Sequence, residues 1–238
     1  MTLGLFTHNI MGRVNLGGYL RKLTNVTVIS LVNQKGGCGK STTAVHLACW
    51  LSQQRRVRFI DADSQQSSST WLEQLNSLNF SYQAILDPET LFEAIETAAE
   101  ESDMVIVDGP GSFSEVTKTI LDVSDLTLVP CQPSGLDLSS SNQILQVIRQ
   151  RQKVRQGYPL VGLFLSRGVK GTILLREAQQ ALAANPKFPL LKTVIYQRQC
   201  IADTPIQQKT VFDLSTPSAK TASRDYMALF QEALEILG

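Results

Sequence analysis

The chain is predicted to fold as a single α/β domain, a mostly parallel twisted sheet with helices on both faces, and three observations carry the prediction. Short apolar runs, among them Val26–Val32, Val57–Ile60, Met104–Val107, Leu126–Pro130, Leu160–Leu165 and Leu190–Tyr196, alternate with longer stretches of helical periodicity. Such runs, apolar at successive positions, suit parallel strands buried on both faces. Several end in glycines or carboxylates, and in parallel sheets the C-terminal strand ends border the ligand crevice. Finally, 238 residues with 43% hydrophobic and 18% charged side chains suffice for one domain with a substantial core.

Composition narrows the class further. No apolar run approaches the roughly 20 residues that span a bilayer, and no hydrophobic targeting segment with a cleavage site stands out, so a cytoplasmic protein is expected. Cys38, Cys49, Cys131 and Cys200 lie far apart with no C-x-x-C pair, which argues against a zinc or iron–sulfur site. The net charge of +1 conceals a segregation: Asp61–Ser140 holds fifteen acidic residues and one basic, while Leu145–Cys200 holds ten basic and one acidic. A chain divided in this way can meet a polyanion with one region while its acidic region faces elsewhere.

In chain order, residues 1–25 are expected to be a flexible N-terminal extension, because Gly4, Gly12, Gly17 and Gly18 oppose a stable helix despite Arg13, Arg21 and Lys22. The folded domain is placed at 26–238. Its first strand runs into Asn33-Gln34-Lys35-Gly36-Gly37-Cys38-Gly39-Lys40-Ser41-Thr42-Thr43, and a helix follows over Ala44–Leu51. Three glycines in four positions let successive amides converge on one point, and the helix adds its positive dipole end. A phosphate is the natural occupant, with Lys40 against the outer phosphates and the Ser41 hydroxyl on Mg²⁺. Gly36, Gly37, Cys38, Gly39, Lys40, Ser41 and Thr42 are therefore the candidate nucleotide-binding residues of a P-loop NTPase fold. Cys38 reads as a small filler residue, with an oxidation-sensitive thiol as the alternative.

The standard pattern has a glycine where this loop has Gln34, and this loop has a second lysine, Lys35, beside the glycines. Lys-Gly-Gly-Cys-Gly-Lys-Ser-Thr resembles the deviant Walker A motif of the ParA/MinD family. The resemblance implies an ATPase that dimerises around ATP, with Lys35 reaching the partner's nucleotide. Its alternative is a solvated loop cation.

The second strand ends in Asp61-Ala62-Asp63-Ser64-Gln65, similar to the family's Asp-x-Asp-Pro-Gln with Ser64 in place of proline. The match implies that Asp63 orients the attacking water and Asp61 lies nearer the metal. Otherwise the two acids cap the next helix. After a short strand, Tyr82–Leu86, and an acidic amphipathic helix, Glu89–Glu101, the strand Met104–Val107 ends in Asp108-Gly109-Pro110-Gly111. An acid at the end of a buried strand beyond the phosphate loop suits Mg²⁺, which makes Asp108 look like the Walker B aspartate. Gly109 and Gly111 are expected to let the backbone approach the γ-phosphate and move on hydrolysis, with a merely structural strand-end turn as the alternative.

The basic half begins with a long helix, Leu138–Gln156. Projection at 100° per residue puts Arg149 and Lys153 opposite its apolar side and Arg151 on that side, where it must snorkel, find an acid or leave the core. Ser166-Arg167-Gly168-Val169-Lys170-Gly171 is expected as a basic loop, Leu190–Tyr196 as a strand ending in Gln197-Arg198-Gln199, and Ala219–Leu237 as the closing helix. Thr193–Gln199 with Val211-Phe212 is similar to the small ParA/ParF-type plasmid partition ATPases. That resemblance covers Val26–Leu237, with too few residues before the first strand for the helix-turn-helix domain of larger ParA proteins.

The resemblance implies a Mg²⁺-dependent ATPase with slow intrinsic turnover. An ATP-bound homodimer would bind DNA without sequence preference and position a cargo, released when a ParB-like partner stimulates hydrolysis. It would be nucleoid-associated when ATP-bound. Arg149, Lys153, Arg167, Lys170 and Arg198 are the candidate DNA contacts. Two alternatives stay open. A MinD-like membrane-cycling ATPase needs a basic amphipathic end, whereas Tyr226–Leu237 is acidic. A metabolic P-loop enzyme would turn over ATP with a small molecule rather than with DNA and a protein.

Overall fold

The computed structural model describes residues 26–238. The flexible extension expected over 1–25 lies outside the described residues.

Seven parallel strands form one sheet: β1 Thr27–Leu31, β2 Val57–Asp61, β3 Ser81–Ala84, β4 Met104–Asp108, β5 Leu126–Cys131, β6 Leu160–Gly168 and β7 Leu190–Tyr196. Their spatial order is β3-β2-β4-β1-β5-β6-β7, so the chain leaves the central β1 in one direction first and returns to cover the other. The helices between them are α1 Lys40–Leu51, α2 Ser67–Gln74, α3 Pro88–Glu101, α4 Glu115–Val123, α5 Gly135–Val154, α6 Ile173–Ala183, the short α7 Gln199–Ala202 and α8 Pro217–Glu235.

Alternate strand residues feed two cores, as the pleat requires. Val28, Ile60, Val105, Val107 and Val129 meet Leu91 and Ile95 of α3, Ile120 of α4, Ile148 of α5 and Ala178 of α6. Ile29, Leu31, Phe59, Ile106 and Leu128 meet Leu47 of α1, Trp71 of α2 and Tyr226 and Phe230 of α8 on the opposite face. Between the layers Ser30 Oγ lies 2.9 Å from Thr127 Oγ1 and accepts from Ser124 Oγ at 2.8 Å, a buried hydroxyl chain that satisfies its own members.

Helix starts follow local chemistry. Asp87, Ser114, Thr172 and Thr216 cap α3, α4, α6 and α8, each accepting from a backbone amide of the first turn. On α5, Arg151 finds an acid: its guanidinium lies 3.3 Å from Asp122 of α4. Val154 is exposed, so the helix leaves the core at its end.

One expectation about elements changes, and one further element is added. Strand β6 runs on to Gly168, because Ser166 and Gly168 still pair with Ile195 and Tyr196 of β7 around an irregularity at Arg167; only the rest of the basic segment is loop. Val211–Asp213 is a 3₁₀ turn closed by a capping box between Thr210 and Asp213.

Candidate functional site

The register brings the site together at the C-terminal edge of the sheet. Leu31, the last residue of β1, pairs with Asp108 of β4, and Asp108 pairs on its other side with Asp61 of β2. The loop leaving β1 is held at its base by Asn33, whose Nδ2 donates to Pro130 O at 2.6 Å. Gly37 and Gly39 have φ of 72° and 95°, the left-handed region open to glycine. α1 then begins on Gly39 without a side-chain cap and without an acid in its first turn. Its amides and dipole therefore face the cleft with no capping side chain and no acid of the helix's own first turn to satisfy them.

The cleft has a volume of about 730 Å³. Its walls come from the loop and first turn of α1 (Gly36, Gly37, Gly39 to Thr42), from Asp63 to Gln65 with Ser67, from Gly111 and Ser112, and from Ser166 and Arg167. Tyr196 to Gln199, Pro205 and Tyr226 close the far end. Lys40 is buried and donates from Nζ to Lys35 O at 3.3 Å across the loop. Lys35, next to the cleft-lining Gly36, is half-buried, and its amide donates to Asn33 Oδ1 at 3.3 Å. Cys38 is 1% exposed, and burial raises its thiol pKa despite the nearby Lys40. This supports the filler reading of Cys38 and not an oxidation-sensitive one.

Asp61 and Asp108 are both fully buried and differ in what they hold. Asp61 Oδ1 accepts from Asp63 N at 3.1 Å and Oδ2 from Ser69 N at 2.8 Å, so it does the capping work for α2 that Gln66 does not. Among the described residues neither Asp108 oxygen has a partner at full hydrogen-bonding geometry, although the Ser41 hydroxyl and the otherwise unpartnered Ser68 hydroxyl lie close enough to favour the carboxylate. Burial foremost, and the Asp61 charge, push Asp108 up to about 7, against smaller lowering effects of the nearby Ser41 and Ser68 hydroxyls and Lys40. Two orphaned carboxylate oxygens beside a phosphate cradle fit a hard divalent cation such as Mg²⁺. Among the described residues no group of three or more His, Cys, Asp or Glu could hold a metal by itself. The remaining ligands would be Ser41, water and phosphate oxygens, the usual set for Mg²⁺ at a nucleotide.

Asp63 lines the cleft, half-exposed, and its Oδ1 accepts from Gln65 N at 3.1 Å. The two glycines after Asp108 separate in role. Gly111 faces the site, where a Cβ would sit 3.7 Å from Lys40 Nζ. A Cβ on Gly109 would lie 2.8 Å from Leu31 O and 2.9 Å from Val32 Cγ1, so close packing on β1 by itself requires glycine at 109.

The five cations expected on one DNA surface are divided in this chain. Lys153 is exposed on α5 beside Arg149, and both border a shallow depression with Lys187. Arg149 is half-buried, and its guanidinium lies over the Phe188 ring, 5.1 Å from its centre. Lys170 lies 4.7 Å above the Tyr196 ring. Arg167 and Arg198 belong to the cleft: Arg198 is ion-paired with Asp225 at 2.9 Å, and Arg167 donates to Gly37 O at 2.9 Å.

Behind the cleft sits His46, which sequence reasoning passed over. Its Nδ1 lies 2.7 Å from Thr42 O and its Nε2 accepts from Val211 N at 3.1 Å. The ring stacks on Tyr226 at 4.5 Å and meets Trp71 and Phe212 edge-on. Burial lowers its pKa to about 4, so the neutral tautomer with the proton on Nδ1 ties the first turn of α1 to the 3₁₀ turn. Helical spacing alone makes His46 a core residue, and nothing local signals its two partners.

A family model described as the CobQ/CobB/MinD/ParA nucleotide binding domain matches residues 29–211. The chain is similar to the maintenance of carboxysome distribution protein A of Halothiobacillus neapolitanus, 26% identical over 197 residues that cover 82% of this chain and 90% of the relative. It is also similar to the chromosome-partitioning ATPase Soj of Thermus thermophilus, 26% identical over 241 residues, covering 86% and 97% respectively. The solved ATP complex of Cyanothece McdA has the same fold, with a TM-score of 0.76 at 18% identity over 89% of this chain and 97% of that one. A Borrelia burgdorferi plasmid partition protein bound to AMPPNP gives a TM-score of 0.67 at 20% identity, covering 88% and 98%. On the match over residues 29–211 and the phosphate cradle it contains, the chain belongs to the CobQ/CobB/MinD/ParA nucleotide-binding family.

Proposed function

We propose that this protein is a positioning ATPase: it closes into a homodimer around ATP, binds DNA without sequence preference, and releases both when a ParB-like cargo adaptor stimulates hydrolysis. The observation that carries the ATPase chemistry is Asp108, a buried carboxylate with two unpartnered oxygens at the foot of a phosphate loop whose helix has no cap. Lys40 and the loop amides would hold the phosphates, Ser41 and Asp108 would hold Mg²⁺, and Asp63 at the cleft wall would orient the attacking water. Mg²⁺ bound there would neutralise charge on the phosphate oxygens. Asp61, with both oxygens occupied by backbone amides, holds α2 and Asp63 in place rather than ligating the metal directly. Lys35, beside the glycines of the loop, serves the partner's nucleotide, so a complete site needs two subunits.

Two relatives named for carboxysome distribution and for chromosome partitioning support a cargo-positioning role and leave the cargo as either a protein organelle or DNA. Among the described residues no helix is long and apolar enough to cross a membrane. Arg149, Lys153 and Lys187 around one depression supply the DNA-facing cations, with Lys170 nearer the cleft rim.

The test is nucleotide-dependent assembly. Wild type with MgATP should run as a dimer and retard nonspecific duplex DNA, with affinity falling steeply as salt rises. Lys35→Ala should stay monomeric, Asp63→Ala should persist as the ATP-bound dimer, and Arg149→Glu with Lys153→Glu should lose DNA while still dimerising. ATP turnover that ignores DNA and protein partners but depends on a small molecule would replace this reading with a metabolic one. Robust pelleting with anionic liposomes would replace it with a membrane-cycling one.

A further inference from the structure

Arg167 was expected to touch DNA, yet its geometry binds it to the nucleotide site. It sits near the end of β6, at the one residue between the pairs Ser166–Ile195 and Gly168–Tyr196, where the register with β7 shifts. Its φ is 56°, in the left-handed region that a side chain with a Cβ adopts only at a cost. An arginine held there needs surroundings that over-determine it. The contact that does so is with the phosphate loop: Arg167 Nη1 donates to Gly37 O at 2.9 Å.

The same carbonyl receives a second donor, Gln132 Nε2 at 2.8 Å, from the residue that follows β5. One β6 residue earlier, Ser166 packs against the other left-handed glycine of the loop, its Oγ 2.7 Å from where a Cβ on Gly39 would stand. The ends of β5 and β6 thus grip the loop at both glycines whose φ is positive.

We propose that Arg167 and Gln132 form a clamp on the Gly37 carbonyl that positions the phosphate loop for nucleotide. A carbonyl that accepts two donors fixes the plane of its own peptide, and in a trans peptide the following amide points the opposite way. Setting that plane sets the direction of the loop amides that an anion must meet, before the anion arrives. A glycine-rich loop otherwise has many conformations to lose on binding. The clamp removes part of that loss, which is preorganisation. Arg167 is a positioning residue, acting through the loop. This rests on the nucleotide-site reading above and adds to it the two side chains that shape the loop from outside.

The clamp separates nucleotide affinity from stability, because the Arg167 backbone is strained. Arg167→Gly removes the guanidinium and relieves the left-handed strain at once. Calorimetric titration of the full chain with MgADP and with the MgATP analogue MgAMPPNP should show affinity reduced about tenfold for both, while the melting temperature of the nucleotide-free protein stays level or rises by about 2 °C. Arg167→Lys, which keeps a donor for the carbonyl, should recover part of the affinity; Gln132→Ala combined with Arg167→Gly should bind more weakly than either alone. Binding by the double variant within twofold of wild type would overturn the clamp. So would affinity losses that only track falling melting temperature across the series. If wild type itself binds neither nucleotide, the site reading fails and takes the clamp with it, an outcome distinct from a wild type that binds and variants that bind equally well.

Discussion

The ends of β2 and β4 carry the same residue at paired positions of one sheet, and the molecule uses them in opposite ways. Asp61 and Asp108 face each other in the register, and neither is exposed to solvent. Asp61 is spent internally: two backbone amides occupy its oxygens, and through Ser69 N it fixes the start of α2. Among the described residues Asp108 has no partner at full hydrogen-bonding geometry on either oxygen, only the Ser41 and Ser68 hydroxyls nearby. A buried carboxylate without partners costs the native state free energy that a bare fold has no reason to retain. The cost makes sense where a cation completes the site. Strand position therefore brings an acid to the crevice, while the turn that follows the strand decides whether the acid supports structure or chemistry.

Asparagine at each position separates the two roles most sharply. Asp108→Asn should lower Mg²⁺-dependent ATP hydrolysis about a thousandfold, about 4 kcal/mol on the barrier, because it removes an anionic oxygen from the metal position. The same variant should melt higher than wild type when nucleotide-free at pH 8, since a buried unpaired charge is gone. A pKa displaced from 3.8 to about 7 corresponds to up to about 4 kcal/mol of relief. Steady-state turnover and scanning calorimetry read the two signs independently, and an Asp108→Asn protein that melts lower would contradict the assignment of a metal-awaiting carboxylate. Asp61→Ala should destabilise with or without Mg²⁺, by about 3 kcal/mol, because it strands the amides of Asp63 and Ser69. Denaturant unfolding measures it, and a loss smaller than 1 kcal/mol would deny Asp61 its structural role.

That contrast marks how far the sequence could be read. Continuous apolar runs and the glycine loop identify the strands, the parallel sheet and the phosphate cradle, because those depend on local composition. Asp63 and Asp108 are legible as strand-end acids near the cradle. The division of labour between Asp61 and Asp108 is not legible, since it depends on which amides a turn presents to each oxygen. The same holds for the cations. Helical projection pairs Arg149 with Lys153, yet the half-buried arginine lies over Phe188, from the connection between α6 and β7. Arg167 reads as a loop cation because nothing before the fold reveals that β6 continues to Gly168 and lies against Gly37. His46 bonds a turn 165 residues away, a distance no periodicity reports.

The pH dependence of stability gives a finer test, because the two buried groups titrate in opposing directions. Asp108 has its native pKa raised to about 7 above the unfolded value of 3.8, so its contribution is fully present below about pH 4 and is lost as pH rises toward 7. His46 has its native pKa lowered to about 4 from 6.5, so its contribution is present above 6.5 and is lost as pH falls toward 4. In wild type these slopes oppose each other between pH 4 and 6.5. Asp108→Asn should unmask the histidine, giving a protein that loses up to about 3 kcal/mol over that window. Urea unfolding of wild type and variant at half-unit pH steps measures the difference. Equal pH slopes in the two proteins would mean that Asp108 titrates near its ordinary value and that the comparison with Asp61 is weaker than the geometry implies.

The smallest expected effect tests how the two aspartates sense each other. A cation at Asp108 needs the carboxylate, so Mg²⁺ affinity of the nucleotide-bound protein should rise by up to about tenfold per pH unit below 7 and level off above it. The Asp61 charge is one of the causes holding Asp108 up, although burial is the larger one. Asp61→Asn keeps one acceptor for the amides and removes the charge, so it should shift the Mg²⁺ profile to lower pH by a fraction of a unit without abolishing binding. Titration of Mg²⁺ against protein preloaded with nucleotide, at fixed ionic strength from pH 5.5 to 8.5, resolves the shift. A profile that moves to higher pH would show Asp61 stabilising the Asp108 carboxylate, the reverse of the repulsion expected between paired acids at two strand ends.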